Sequence, residues 1–518
     1  MSAATRSSRK ARGPAFPAPE ARWNPRPLAL ALALVGTSAG AQMPTGFNPV
    51  QGSVLAPVMS GNTMSIQQQS DRAIIEWGSF SIGAGNAVRF LQPGASSIAL
   101  NRVLGGDLSR ISGELSANGR IFLINPAGVL FGQGSKVETG GLVASTLGIS
   151  NADFMAGRFR FERDDANTAS VTNLGTLTAP GSTIALMAAT VVNGGEGRII
   201  ADGGTVGLVS ARRVSLDFQG DGLTTFRFEP DAGASMAAVT NESGAVLQAN
   251  GGRVAVLADS TQVAQRVVNQ QGTIRAQSMT ARNGEIILGA SGQADVTVGG
   301  TLDATGAAGA SGGTIHVEGG GIRTQSARVD ASGDSGGGRI ELEGRRAATM
   351  DAGSTLHADA LGSGNGGTID IDAPGLHAAG TMTANAAGNG AGGAVTTSGS
   401  VVEVGAAHVS AAGAGGGTNG KWTITSQGDV MVGAAPAARP ATEVSVADDD
   451  SRVSDGAVGE ALGNRTDVTL AATGFALDGG RGQSGNVAFE DTASIVKTQG
   501  GTSTLRVDAM RNIDMWNG

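Results

Sequence analysis

The sequence has no cysteine and no tyrosine, and aromatic residues make up only 3% of its 518 residues. The absence of cysteine excludes disulfide bonds and thiolate metal sites, so stability has to come from packing and backbone hydrogen bonds. Few aromatics argue against a wide globular core, because aromatic side chains bury the largest areas. Glycine is abundant instead: it makes up 84 of the 518 residues, more than twice the roughly 7% of average usage. This composition favours a narrow solenoid.

The amino-terminal segment has the three parts of a secretory signal peptide. Six Lys/Arg residues precede the apolar run LALALALV (Leu28–Val35), and Ala39-Gly40-Ala41 follows as an A-x-A cleavage site. So short an apolar run cannot span a bilayer, which needs about 20 residues. We therefore predict a signal peptide over residues 1–41, with Ala39 and Ala41 directing its cleavage, and export of the remaining chain.

Removal of this leader makes the chain more acidic. The leader holds six basic residues and Glu20, so the 36 basic and 44 acidic residues fall to 30 and 43, a net charge of −13. A nucleic-acid-binding protein needs a basic face. The charge therefore argues against nucleic acid as a partner and favours solubility of the unfolded chain.

A repeat of 25 to 29 residues runs through the second half of the chain. The second glycine of a Gly-Gly pair falls at positions 313, 338, 367 and 393, and a looser version of the pattern runs from residue 175 to residue 290. After each pair comes a short alternating strand, in which Ile315 and Val317 face one way and His316 and Glu318 the other. Coils of this kind pair with the coils above and below. We predict an all-β fold, a right-handed parallel β-helix, and no helix of any length in the exported chain.

Residues 42–220 are less repetitive and carry specific motifs. RAIIEW, FSIG, LNRV, ANGRIFLINPAGVLFG and GGLVAST follow one another in this order behind the leader. On these motifs the segment resembles the secretion domain of two-partner-secretion exoproteins, the family of filamentous haemagglutinin and the high-molecular-weight adhesins of Haemophilus. The predicted organisation is a signal peptide over 1–41, a two-partner-secretion domain over 42–220 and a Gly-rich β-helix repeat region over 221–518. We expect residues 221–518 to be either the complete repeat region of a short family member or a truncated repeat region of a longer exoprotein.

The resemblance implies a function as well as a fold. Such domains are capped β-helices recognised by a dedicated outer-membrane β-barrel transporter with periplasmic polypeptide-transport domains. The chain crosses unfolded and folds at the cell surface, where it acts as an adhesin, a haemolysin or a toxin carrier. The resemblance thus predicts a secreted or surface-exposed adhesin whose second partner is a receptor or glycan on a host or neighbouring cell. From the residues themselves we predict no cofactor and no metal site.

Asn125-Pro126-Ala127-Gly128 stands where the family has Asn-Pro-Asn-Gly. Asn at the first position, Pro at the second and Gly at the fourth suit a type I turn, which accepts most residues at the third. The departure at Ala127 should therefore keep the turn and lose one amide. Two interpretations stay open for Asn125, Pro126 and Gly128: a plain coil corner, or a turn that also supports recognition by the transporter.

The segment LNRV supplies two further candidates for transporter recognition, Asn101 and Arg102. The competing interpretation of Asn101 is a buried amide that is hydrogen-bonded along the stack. For Trp77 and Phe80 we expect packing in the cap or core.

A β-helix polysaccharide lyase or glycosidase is the alternative from another class. Such enzymes need carboxylates converging on one groove. The densest acidic run, Asp448–Asp455, is predicted to be a solvated loop, with weak calcium binding as the alternative. The four histidines (His316, His357, His377 and His408) show no ligand spacing. We therefore predict no catalytic residues, and a non-functional fragment of a longer exoprotein is the remaining alternative.

Overall fold

The computed structural model describes residues 42–515 except 165, 219–222, 229–237, 261–265, 281, 437–449, 475–484 and 500. The chain winds as a right-handed parallel β-helix, as predicted. Each coil contributes short strands to up to three faces, which we call ladders A, B and C. Within a ladder, neighbouring strands pair in parallel, because consecutive coils repeat the same path.

The strands of each ladder stack in register. Ladder A consists of Arg72–Trp77, Ile98–Val103, Arg120–Ile124, Gly141–Ser145, Thr183–Met187, Thr205–Ser210, Arg253–Ala258, Glu285–Ala290, Thr368–Asp372, Ala394–Gly399, Lys421–Ser426, Asp467–Ala472 and Leu505–Ala509. Ladder B consists of Ser109–Ile111, Val129–Phe131, Ser170–Asn173, Thr190–Asn193, Ala238–Asn241, Arg266–Gln270, Asp295–Val298, Gly375–Ala378, Val401–Val404, Asp429–Gly433, Asp450–Ser454, Val487–Phe489 and Ile513–Met515. Two long strands, Thr314–Thr324 and Arg339–Met350, bend at the corner and belong to both ladders.

Ladder C is built almost entirely of three- to five-residue strands. They are Thr63–Gln67, Ala87–Leu91, Glu114–Ala117, Lys136–Glu138, Thr176–Thr178, Arg198–Ile200, Val246–Gln248, Thr273–Arg275, Thr301–Asp303, Arg328–Asp330, Thr355–His357, Thr381–Thr383 and His408–Ser410. Only the middle residue of a three-residue strand points inward, so this face adds one apolar side chain per coil to the core in most coils.

The core is a column of aliphatic side chains inside the helix. The alternation predicted from the repeats is confirmed: Ile315 and Val317 are fully buried, whereas His316 and Glu318 lie on the outer face. Because parallel strands stack in register, each inward residue contacts its equivalent one coil away. This explains how so few aromatic residues can fill the core.

Antiparallel strands close the amino-terminal end. Asn48–Gln51 pairs with the first strand of ladder A, and Val58–Ser60 forms a hairpin with the first strand of ladder C. Inside this cap, Trp77 packs edge-on against Phe47 and Phe80, with ring centroids 5.4 and 5.3 Å apart. The predicted packing role of Trp77 and Phe80 is confirmed, since each side chain is only 1% exposed.

An accessory layer covers the outer face of ladder A in the first coils. It consists of the short helix α1, Asn151–Met155, and a three-stranded antiparallel sheet formed by Phe159–Glu162, Arg213–Asp217 and Thr225–Phe228. We call this sheet the accessory sheet. Apolar side chains between the two layers form a second hydrophobic cluster, separate from the core of the β-helix. Phe122 lies at its centre, with its ring 5.4 Å from that of Phe159 and 5.9 Å from that of Phe154.

The expectation of no helix is wrong at two places in the described part of the chain. α1 is one, and the nine-residue helix α2, Asp455–Gly463, is the other. α2 begins at the N-cap Ser454 and contacts His408–Ser410, taking the place of the next strand of ladder C. Its short, Gly- and Ala-rich sequence does not separate into an apolar face and a polar face, because the helix is buried on both sides.

The predicted solvated loop at Asp448–Asp455 is also wrong for the described residues. Asp450–Ser454 is a strand of ladder B, and it lies between Val401–Val404 and Asp429–Gly433 although it follows both in the sequence. Ser451 and Val453 on this strand are buried. Asp429–Gly433 therefore lies one position further along ladder B than its place in the sequence predicts. Asp450–Ser454 occupies the position that was skipped, next to Val401–Val404.

Candidate transporter-recognition site

The Asn125–Gly128 segment forms the predicted turn at the corner between ladders A and B. The amide of Gly128 donates to the carbonyl oxygen of Asn125 at 2.9 Å, which closes the turn. The amide of Ala127 donates to the Asn125 side-chain oxygen, also at 2.9 Å. Ala127 therefore makes only a backbone contribution here, in line with the expectation that the turn tolerates this residue.

The side chain of Asn125 points into the corner and is fully buried. Its amide nitrogen donates to the Asp107 carbonyl oxygen and to the Ser109 hydroxyl, each at 2.9 Å. Asn125 thus joins its coil to the preceding coil, and it uses both ends of its side chain. A buried amide with this many partners is costly to replace, because its loss leaves other polar groups unsatisfied.

Pro126 and Gly128 differ in exposure. Pro126 lies exposed at the tip of the turn, and its carbonyl oxygen accepts a hydrogen bond from Asn167 at 2.9 Å. Gly128 is buried with φ at +111°, and a Cβ atom there would lie 2.9 Å from the Ser170 carbonyl oxygen. The fourth position therefore requires glycine for both its backbone conformation and the close approach of the next coil.

Asn101 is buried in ladder A beside the amino-terminal cap. Its side-chain oxygen accepts the indole N–H of Trp77 at 3.0 Å, and its amide donates to the carbonyl oxygens of Ala99 and Phe122. Asn101 is therefore a buried amide that is hydrogen-bonded along the stack, as the competing interpretation predicted. A buried indole N–H needs a partner, so Asn101 also fixes Trp77.

Arg102 connects ladder A to the accessory layer. Its guanidinium donates to the Asn151 side-chain oxygen at 2.8 Å and to the Ile149 carbonyl oxygen at 2.7 Å, and it lies 3.6 Å from the Glu76 carboxylate. Arg72, on the preceding coil, donates in the same way to the Met155 carbonyl oxygen at 2.7 Å. The two arginines hold α1 from both ends.

The structure thus places Asn125, Pro126 and Gly128 at one corner, Arg102 at the edge of the accessory layer and Asn101 in the interior beside Trp77. The cleavage residues Ala39 and Ala41 lie outside the described residues. Sequence reasoning missed Arg72 and Asn167, because their partners are 83 and 41 residues away in the chain. The apolar runs of strands 72–77 and 120–124 were the available signal, since a strand covered on both faces reads as continuously hydrophobic.

A ladder of buried amides on ladder B was also missed. Asn173 donates to Asn193, Asn193 to Asn241 and Asn241 to Gln270, at 2.8, 2.8 and 2.9 Å. Each amide links one coil to the next inside the corner. Uneven spacing hides the pattern, because these residues are 20, 48 and 29 positions apart in the chain.

Each of the four histidines has a carboxylate oxygen within 3.9 Å of a ring nitrogen, and in the described part of the chain only His316 belongs to a cluster of three possible metal ligands. His316, Glu341 and Glu343 have possible ligand atoms within 4.8 Å of one another on the outer face of ladder A. Arg339 already binds Glu341, and the His316 ring lies 3.3 Å from the same carboxylate. Burial raises the pKa of Glu341, but the hydrogen bond and charge of Arg339, together with His316, outweigh it and hold this pKa below its usual range.

The coiled architecture, the cap and the accessory layer define a β-helical protein with a specialised amino-terminal region. The family model of the TPS secretion domain matches residues 43–304, half of the chain, and the chain belongs to this family. The match continues past residue 220, and the ladders also continue, since Thr205–Ser210 pairs with Arg253–Ala258 and Thr190–Asn193 pairs with Ala238–Asn241. The protein is therefore an exoprotein of a two-partner system, secreted or displayed on the cell surface through the outer membrane. Among the described residues, no helix has the length and apolar character to cross a membrane.

Relatives and solved structures agree with this assignment. The chain is similar to the secretion domain of HMW1 from Haemophilus influenzae, with a TM-score of 0.63 and 26% identity, over 74% of this chain and 100% of that one. Two curated Haemophilus influenzae proteins, each named heme/hemopexin-binding protein, are 36% identical over 140 residues and 43% identical over 104 residues. These matches cover 26% and 20% of this chain. The chain spans only 15% and 11% of those relatives.

Proposed function

We propose that residues 42–304 are the unit recognised by the transporter and that the following coils form an adhesive shaft. The observation that carries the first part is the Asn125–Gly128 corner, where an exposed proline stands over a buried, fully bonded asparagine. Asn125 shapes the coil, and Pro126 is the part of the turn that a partner can contact. Arg102 acts through the accessory layer that it holds in place.

Secretion with a co-expressed transporter of the same family tests this division of roles. We expect Pro126→Ala to keep the protease resistance of the folded chain and to lower the amount secreted. Asn125→Ala should reduce both, because it leaves the Ser109 hydroxyl and two backbone groups without their partner. Pro180→Ala, another exposed corner proline of the same domain, is the matched control and should be secreted normally. Normal secretion of both Pro126→Ala and Asn125→Ala would contradict the proposal.

The adhesive shaft is supported by the outer face of ladder A beyond residue 304. Its outward residues are polar and half-buried, as at His316, Asp370 and Thr396. A long, regular, polar surface suits repeated contacts with another surface, and these add up in avidity. Cells displaying the chain should adhere to epithelial cells more than cells that lack the transporter. Equal adherence, with the chain shown on the surface, would contradict an adhesin.

Binding of haem or hemopexin is a second candidate, which the names of the curated relatives favour. The family-matched part, residues 43–304, contains no histidine, cysteine or tyrosine, three of the side-chain types that commonly hold haem iron. All four histidines lie beyond it. Titration of the purified chain with haem, read by absorbance, and capture of hemopexin on the immobilised chain test this candidate, and an unchanged spectrum without capture would exclude it.

We infer that the chain is not an enzyme. A glycosidase acid needs a raised pKa at neutral pH, whereas arginine neighbours lower the pKa of both Glu341 and Asp153. Incubation of the purified chain with acidic and neutral polysaccharides should release no new chain ends. Release of unsaturated or reducing ends would restore the lyase or glycosidase alternative.

A further inference from the structure

The solvent side of the accessory layer contains a groove of about 470 Å³. The accessory sheet forms its floor, and the chain from Gly148 to Asp153 forms one wall, since Gly148 pairs with Glu162 at the sheet edge. Strand register aligns Arg160, Ser215 and Arg227 in one row across the floor. These residues alternate with the buried Phe159, Leu216 and Phe226, so the groove lies on the face of the accessory sheet that is turned away from ladder A.

Arginine side chains dominate the groove. Arg213 donates to the Glu162 carboxylate at 3.0 Å, whereas Arg160 and Arg227 have no hydrogen bond or ion pair through their guanidinium groups within the described part of the chain. Neighbouring strands lie about 4.8 Å apart, so the Cα atoms of Arg160 and Arg227 are roughly 10 Å apart. Two side chains of this length can converge on one acidic group or hold two. A guanidinium binds carboxylate and sulfate through paired N–H donors.

The groove also presents hydrogen-bond acceptors. Glu162 and Asp153 line it together with the arginines. Hydrogen bonds from Arg158 and Ser150 hold the pKa of Asp153 below its usual range, so this carboxylate is charged at neutral pH. A simple anion would gain from the arginines and be repelled by the two carboxylates. A ligand that combines an acidic group with hydroxyl groups can satisfy both sets.

We propose that this groove binds an acidic saccharide. Its carboxylate or sulfate lies between Arg160 and Arg227, and its hydroxyls donate to Glu162 and Asp153. The site goes beyond the adhesive shaft, because it belongs to the part of the chain that the family model covers. Saccharide binding at this groove is independent of whether the shaft is adhesive.

Binding of defined oligosaccharides to the purified exported chain tests the proposal. The probes are tetragalacturonate, a heparin-derived tetrasaccharide and, as the neutral comparison, cellotetraose, measured by calorimetry at low and physiological salt. We expect one or both acidic probes to bind and cellotetraose not to bind. Tetragalacturonate carries carboxylates alone, whereas the heparin tetrasaccharide carries carboxylates and sulfates. Binding of tetragalacturonate would show that a carboxylate is sufficient, and binding of the heparin probe alone would indicate a sulfate ligand. The double variant Arg160→Ser/Arg227→Ser should weaken binding by about tenfold or more, the order expected from losing charge-assisted hydrogen bonds.

A matched double variant removes two exposed arginines elsewhere. Arg89→Ser/Arg198→Ser changes the same charge on the outer face of ladder C and should bind like the unaltered chain. An equal loss in both double variants would show non-specific charge attraction and overturn the proposal. The proposal would also be overturned if neither acidic probe bound, or if polyglutamate bound as tightly as the saccharide. Glu162→Gln should weaken the saccharide more than inorganic sulfate.

Discussion

Ladder A has two regions that share one backbone and differ in what covers them. Its outer column is the series of outward residues in register from coil to coil. The column is apolar in the first coils and polar in the later ones, in the order Ile74, Leu100, Phe122, Val143, Ala185, Gly207, Ala255, Ile287, His316, Glu341, Asp370, Thr396, Thr423 and Thr469. The change at His316 follows the end of the family match at residue 304.

This comparison shows that the β-helix alone does not distinguish the secretion domain from the shaft. Coils of the shaft need one buried face and corner glycines, which many sequences supply. Coils of the secretion domain must also fit the accessory layer, and a second buried face restricts their outward residues. The specific sequence motifs therefore fall on strands that are buried on both faces, by the core on one side and by the accessory layer on the other.

The same contrast appears inside the corner that follows ladder B. Asn173, Asn193, Asn241 and Gln270 continue in register into Val298, Thr324, Met350, Ala378 and Val404. Amide pairing joins the four coils from Asn173 to Gln270, all within the family-matched region, whereas mostly apolar packing joins the coils of the shaft. An amide ladder holds the register more strictly, because a slipped coil would leave buried donors unpaired.

The largest effect is expected from the centre of the accessory cluster. Phe122→Ala removes a ring that contacts four other phenylalanine rings and should lower the free energy of unfolding by about 3–5 kcal/mol. Thr396→Ala, in the same column of the shaft, should change it by less than about 0.5 kcal/mol. Urea unfolding followed by circular dichroism measures both. Similar losses in the two variants would remove the distinction between covered and uncovered coils.

The amide ladder gives the next test. Asn193→Ala leaves the Asn173 amide and the Asn241 side-chain oxygen without their partner and should cost about 1–3 kcal/mol for each unsatisfied group. Thr324→Val is the matched change in the shaft, where the buried hydroxyl has no hydrogen-bond partner in the described region. We expect it to be neutral or stabilising in the same unfolding experiment. A larger loss for Thr324→Val than for Asn193→Ala would contradict the contrast.

Gly207 tests the fit between the two layers. The Phe226 ring of the accessory sheet lies against it, and an added Cβ would be 2.0 Å from the ring. Gly207→Ala should therefore displace Phe226 and cost about 1–3 kcal/mol. Gly289→Ala, also on ladder A, would meet only the flexible end of Leu257 and should cost less. Thermal unfolding of both variants decides, and an unperturbed Gly207→Ala would argue against a closely packed layer.

The smallest effect concerns pH and belongs to the shaft alone. The pKa of Glu341 is lowered in the folded chain, so its pairing with Arg339 contributes fully above the ordinary glutamate pKa and is lost as the pH falls through the lowered value. Glu341→Gln should remove this part of the acid sensitivity, about 0.2–1 kcal/mol for a pair near the surface. Unfolding between pH 6 and pH 3 measures the difference. An unchanged acid profile would show that the pair contributes nothing.

The sequence predicted what repeats locally and missed what depends on distant segments. Ile340 and Leu342 inside, with Glu341 outside, followed from alternation, and the Asn125–Gly128 turn followed from its residue types. The accessory layer could not be predicted, because residues 151–162 and 213–228 have no short-range signal that joins them. The same holds for Arg102, whose partners are 47 and 49 residues away. α2 was missed because its burial comes from neighbours on two sides.

Hydrogen exchange of the backbone amides tests the central claim most directly. Arg120–Ile124 and Ala394–Gly399 occupy equivalent places in ladder A, but only the first is covered on both faces. Lys136–Glu138 and Thr381–Thr383 of ladder C are single-faced in both regions and serve as controls. We predict much slower exchange in 120–124 than in 394–399, with similar rates for the two controls. Equal exchange in 120–124 and 394–399 would contradict the claim that the accessory layer distinguishes the secretion domain from the shaft.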